Sequence, residues 1–176
     1  MIDFTRNHFE LFGLPQRFRF DPSLLDRAYH ALQGVVHPDR HAAGGETERR
    51  LALQSSARVN EAYRALKDPV SRAQYLLSLH GIEAFSETDT SLAVDFLERQ
   101  LERREGAEAA LSEGDGRRLA LIADEVRVEA RELEQRLWAL LDVEAQWEAA
   151  RVSVRELRFL TKVAADIDAM LAGDDD

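Results

Sequence analysis

From Asp21 to Leu171 the apolar residues recur three and four positions apart, and nowhere do they alternate long enough to build a sheet. That pattern confines the chain to helices packed on helices. Asp21-Pro22 supplies a capping carboxylate and a proline suited to the first helical position. Leu24, Leu25, Ala28, Tyr29, Leu32, Val35 and Val36 then make one apolar face, so a helix is predicted to about Val36. Pro38 disfavours helical geometry at His37 and offers no backbone donor, and Gly44-Gly45 keeps the chain loose up to the next helix. A second long helix is predicted from about Glu46, turning Leu51, Val59, Ala62, Tyr63 and Leu66 inward until Lys67-Asp68-Pro69 stops it. Two helices joined by so short a loop pack antiparallel, which puts His37-Pro38-Asp39 at the exposed tip of a hairpin.

A shorter helix is expected in SRAQYLLSLHG, residues 71–81, with Ala73, Leu76, Leu77 and Leu79 inward, His80 at its negative end and Gly81 as terminator. The polar stretch 82–90 reads as a linker. Beyond it, residues 90–112 form one candidate helix, and Glu113-Gly114-Asp115-Gly116 ends it. Helical periodicity then runs from Arg117 to Leu171, which as one helix would span roughly 80 Å at ~1.5 Å per residue. A break is therefore required, and it is expected near Asp142 although no Gly or Pro marks it. Leu157, Leu160, Ala164, Ile167 and Leu171 give the last helix its inward stripe, Trp138 and Trp147 are assigned to bundle packing, and the terminal GDDD is expected to fray. The expected fold is all-α: an N-terminal antiparallel helical hairpin with short flanking helices over 1–81, a linker over 82–90 and a three-helix bundle over 91–176.

Charge separates the same two halves. Residues 1–81 hold 11 Lys/Arg and 9 Asp/Glu, whereas residues 82–176 hold 12 and 24, so a net charge of -10 divides as +2 and -12. So acidic a second half argues against a nucleic-acid partner. There are no cysteines, which removes disulfides, thiolate nucleophiles and cysteine-held metal, and suits a reducing compartment. The amino terminus resembles neither a secretory signal nor a transit peptide, and no window approaches the ~18 apolar residues of a membrane span. A cytoplasmic protein with no membrane association is expected. No Gly-rich phosphate loop follows a strand, so neither a nucleotide-binding enzyme nor a bound cofactor is expected.

Taken alone, the loop around His37 has more than one reading. His37, Asp39 and His41 could ligate zinc or iron as part of a metal-dependent hydrolase, although a loop with Pro38 at its centre is a poor frame for ligands. Equally, these residues could form a proline-terminated helix stop, with His37 against the helix dipole and Asp39 bonding locally in a turn.

The surrounding sequence carries a resemblance. FELFGLP before the first long helix, VVHPDRH at the hairpin tip, NEAYRALKDPVSRAQYLL and then SLHG together resemble the J domain of J-domain co-chaperones. SRAQYLLSLHG followed by an acidic helical half resembles, more narrowly, the HscB family of iron-sulfur cluster assembly, over nearly the whole chain from Phe4 to about Leu171. The resemblance implies an adaptor without catalysis of its own. It would deliver an IscU-like scaffold to an HscA-like ATP-dependent chaperone and stimulate that chaperone's ATPase through His37, Pro38 and Asp39, helped by Arg27 and Arg40. A J-domain co-chaperone for a different client uses the same triplet. Gly34 stands where the family's docking helix usually carries a positive residue.

The resemblance also implies a scaffold-binding patch of Leu97, Leu101, Glu102, Glu105 and Phe159. Helical geometry tests its self-consistency: at about 100° per residue, with Leu97 at zero, Leu101 falls near 40°, Glu105 near 80° and Glu102 near 140°. Phe96 and Ala107 point near 260° and 280°, towards the expected core. Phe159 lies roughly 100° from Leu160, off the inward stripe, where a large ring is best explained by a partner or an interhelix edge.

Overall fold

The computed structural model describes residues 3–36, 45–85 and 92–173, and the chain divides into two compact units, Met1–Leu79 and His80–Asp176. Among the described residues every regular element is helical.

The first unit holds α1 (His8–Phe12), α2 (Pro22–Val36), α3 (Glu46–Lys67) and α4 (Pro69–Leu79). Helix α1 is one of the short helices expected to flank the hairpin, although five residues are too few to show a period of their own. Its signal is a capping box: Asn7 Oδ1 accepts from the Glu10 N–H and Glu10 Oε2 accepts from the Asn7 N–H, both at 2.9 Å. Gly13, at φ 64°, closes it. The cap orients Phe9 and Phe12 into a core shared with Phe18, Leu25, Val59, Ala62, Leu66, Ala73, Leu76 and Leu77, all less than 9% exposed.

Helix α2 starts as the sequence requires, with Asp21 accepting from both the N–H and the hydroxyl of Ser23 at 2.9 Å. These bonds hold the Asp21 carboxyl below its ordinary pKa. The inward face of α2 is narrower than its apolar pattern: Leu25 and Val36 are buried, but Leu24 is 41% and Val35 56% exposed. Polar side chains take part of the contact with α3. The Tyr29 hydroxyl donates to Asn60 Oδ1 (3.0 Å), Tyr29 stacks on Tyr63 (4.0 Å), and the Tyr63 hydroxyl donates to Asp26 Oδ1 (2.7 Å). Because later residues of α2 meet earlier residues of α3, this ladder fixes an antiparallel hairpin. His37, Pro38, Asp39, Arg40 and His41 lie outside the described residues.

Helix α4 begins at Pro69, two residues before the predicted start, because Asp68 Oδ2 caps it by accepting from the Ser71 N–H at 2.7 Å. Leu79, expected inward, is 37% exposed. Gly81 has the terminator's left-handed backbone, φ 75°.

The second unit is an up-down-up bundle of α5 (Val94–Ser112), α6 (Gly116–Trp138) and α7 (Trp147–Gly173). Gly114 at φ 64° turns the chain between α5 and α6, and Asp115 Oδ1 caps α6 on the Arg118 N–H at 3.0 Å. The break between α6 and α7 falls where length demanded it. A π-helical turn at Ala139–Val143 unwinds α6, and Ala145 then reverses the chain at φ 53°, a left-handed backbone without glycine. Leu119, Ala123, Val126, Leu137, Leu157, Leu160 and Ile167 are at most 2% exposed and form an aliphatic core; each buried leucine stabilises the bundle by ~2 kcal/mol or more. Trp138, assigned from sequence to packing, is 36% exposed, and Trp147 stacks on His80 at 3.7 Å. The stretch read as a linker starts on this unit: Ala84 is 1% exposed, and its carbonyl accepts from Nε of the buried Arg155 at 2.7 Å.

Candidate functional site

Helix α5 has a buried side and an open side. Phe96 (3% exposed), Gln100 (2%) and Ala107 (0%) face the bundle, while Leu97 (39%) and Leu101 (57%) are left out of the core. These are the orientations the 100° progression assigns. On α7, Phe159 lies beside the buried stripe and is 36% exposed, its ring meeting Phe96 edge-on at 5.8 Å and 76°. The two helices thus frame a groove of ≈ 740 Å³ whose lining includes Leu97, Leu101 and Phe159. Glu102 and Glu105 are exposed on α5 but are not part of that lining. The patch expected from sequence therefore separates into three groove residues and two carboxylates beyond the groove.

The sequence reading missed other groove residues: Arg104 on α5, and Lys162, Val163, Asp166 and Met170 on α7. The residues from α7 share a face with Phe159 at helical spacing, and that was the available signal. Which of them meets which part of α5 depends on the register between helices, which no local pattern records.

Behind the groove, a polar clamp ties α5 to α6. Gln100 Oε1 accepts from Arg103 at 3.1 Å, Gln100 Nε2 donates to Glu129 at 3.4 Å, Arg103 pairs with Glu129, and Arg99 approaches the same carboxylate at 3.6 Å. Buried polar groups satisfied in this way fix the helix that bears them, so Leu97 and Leu101 project from a stiff wall. Glu156, on the next helix, has its carboxyl pushed above the ordinary pKa chiefly by burial, a shift that Arg136 opposes and Glu129 reinforces.

In the first unit, the basic residues flanking the His37 loop are partly described. Arg27 is exposed and donates to Ser23 Oγ at 3.0 Å; His30 is exposed and meets the Tyr29 ring edge-on at 5.5 Å. A Cβ built at Gly34 meets nothing within 4 Å, so no steric demand accounts for that glycine. Arg40 lies outside the described residues.

Fold and groove together define a two-module helical protein whose second module leaves a framed apolar groove uncovered. A family model described as the HSCB C-terminal oligomerisation domain matches residues 92–168. A co-chaperone protein HscB homolog from Burkholderia cenocepacia is 43% identical over 171 residues, 97% of each chain. Among solved structures, the chaperone HscB from Vibrio cholerae superposes with a TM-score of 0.84 at 38% identity, covering 93% of this chain and 96% of its own. Human co-chaperone HscB gives 0.87 at 30%, covering 95% and 83%. The chain belongs to the HscB co-chaperone family, and its units are a J domain followed by a C-terminal helical domain.

Proposed function

We propose that this chain is an adaptor of iron-sulfur cluster assembly: it carries an IscU-like scaffold to an HscA-like chaperone and stimulates the chaperone's ATP hydrolysis, with no catalysis of its own. The observation that carries the client half of this reading is the convergence of Leu97, Leu101 and Phe159 on one groove with a rigid α5 wall. Large apolar side chains left framed and uncovered are what a partner surface requires. Glu102 and Glu105, outside the groove, act as rim charges that steer the encounter. The chaperone half rests on His37-Pro38-Asp39, which comes directly after α2 in the chain. A stiff proline presents Asp39 as an anion to a chaperone arginine, a charge-assisted contact, while Arg27 and Arg40 extend the docking face. A cytoplasmic site of action belongs to this reading; no helix among the described residues is long and apolar enough to cross a membrane.

Single-turnover ATPase assays with purified chaperone test the loop. His37→Gln is expected to abolish stimulation while scaffold binding persists, and retained stimulation refutes the assignment. Calorimetric titration of the scaffold tests the groove. Leu97→Ala with Phe159→Ala is expected to weaken binding at least tenfold, about 1.4 kcal/mol, with scaffold-free stimulation unchanged. Unaltered binding would move the client elsewhere or replace it with another.

A further inference from the structure

The residues expected from sequence mark only one end of the groove. Helices α5 and α7 run in the same direction in the up-down-up bundle, and the Phe96–Phe159 contact sets their register at that end. Ala107 and Met170, each eleven residues further along its helix, line the same groove. At ~1.5 Å per residue the groove therefore extends roughly 16 Å, three helical turns beyond the first contact. Its base is apolar, with Ala107 and Ile167 0% and 2% exposed.

Less than one turn beyond Phe159 on the α7 wall stands Lys162, the only lysine after Lys67 in the whole chain. Arg99, Arg103, Arg104, Arg118, Arg127 and Arg151 of this unit each pair with a carboxylate. Lys162 pairs with none among the described residues, not even Asp166 one turn further on. Lys162 is exposed and contributes to a groove with an apolar base, a setting in which a lysine keeps its ammonium at the rim. Residues 82–176 carry 24 Asp/Glu against 12 Lys/Arg, so an acidic ligand is repelled over most of this unit. An unpaired cation in the groove then fixes where its carboxylate can sit.

We propose that the docking surface is the full three-turn groove, and that Lys162 selects a client segment bearing a carboxylate beside its apolar side chains. This rests on the scaffold reading above and names the chemistry the scaffold must present.

The two lysines make the test direct. Reductive ¹³C-methylation of the full chain labels Lys67, Lys162 and the terminal amine, and added IscU-type scaffold is expected to shift the Lys162 methyl resonance but not that of Lys67. In parallel titrations, Lys162→Glu is expected to weaken binding on the order of tenfold, Met170→Ala severalfold, and Lys162→Met to flatten the salt dependence. Loss of affinity in Leu97→Ala, with Lys162→Glu and Met170→Ala unaffected and no resonance shift, overturns the extended groove alone. Unchanged affinity in Leu97→Ala as well overturns the scaffold reading with it. Self-association of the scaffold-free chain that Lys162→Glu abolishes would assign the groove to a second copy and overturn the proposal.

Discussion

The two units use their large side chains in opposite ways. In the J domain the rings hold one another: Phe9 meets Phe20 edge-on at 6.3 Å and Tyr75 at 6.0 Å, His8 stacks on Tyr75 at 4.0 Å, and the Arg72 guanidinium lies over Phe18 and Phe20. In the C-terminal domain the deepest core is aliphatic, and the ring at its edge, Phe159, is left over a third exposed beside Leu97 and Leu101. A ring that could close the bundle lines a groove instead. The contrast is one of rings: most rings of the first unit close its own core, whereas Phe159 of the second stands beside two exposed leucines along an open groove.

Leucine truncation breaks or sharpens that contrast most strongly. Leu160→Ala, at a fully buried site, is expected to cost ~2–5 kcal/mol through lost burial and a residual cavity. Leu101→Ala, at a site 57% exposed, is expected to cost about 0.5 kcal/mol or less. Amide exchange in the full chain reads both, unit by unit. Equal losses would mean that the groove leucines belong to the core after all.

The sequence disclosed these features unevenly, for physical reasons. Helix ends marked by Asp21-Pro22 and Lys67-Asp68-Pro69 were legible because proline and capping carboxylates act within a turn. Periodicity put Phe96 and Ala107 on the side of α5 away from Leu97 and Leu101, but it was the family resemblance that named Leu97 and Leu101 as the outward side. Leu24 and Val35 misled because apolar character shows what could be buried, not what a neighbouring helix has room to cover. The tyrosine ladder to Asn60 and Asp26 occupies part of that interface. Lys162 and Met170 were hidden for a related reason: a groove between two helices is a property of their register, and 61 positions separate Lys162 from Leu101 in a chain that reverses direction twice between them.

The break after α6 was legible by length but not by residue type, and it yields a smaller effect of opposite sign. Ala145 at φ 53° occupies the conformation in which glycine is free of steric cost. Ala145→Gly is therefore expected to stabilise the C-terminal domain by up to ~1 kcal/mol, the relief of left-handed strain exceeding the added entropy of the unfolded chain. Thermal unfolding should show a rise of a few degrees or less, with the J domain's exchange rates unchanged. A fall in stability would mean that the alanine methyl group makes a contact worth more than its strain.

Acidification gives the finest comparison, with no effect at neutral pH. His8 is 5% exposed, its Nδ1 has no hydrogen-bond partner, and burial, then the nearby Arg58, push its pKa below 6.5. Its place in the first turn of α1 adds the unfavourable end of a helix dipole for an imidazolium. Below pH 6.5 the unfolded chain takes up this proton before the native J domain does, so stability is full above 6.5 and falls as pH drops towards the native pKa. Glu156 works in the other direction: its native pKa lies above 4.5, so the folded C-terminal domain binds the proton first and gains stability as pH falls through that raised value. Lowering pH from about 7.5 towards about 4.5 should thus accelerate exchange in the J domain relative to the bundle. His8→Phe keeps a ring against Tyr75 and should remove the J-domain slope; Glu156→Gln should remove the opposing one. Parallel slopes in the two units of the unmodified chain would mean that these side chains do not control their response to acid.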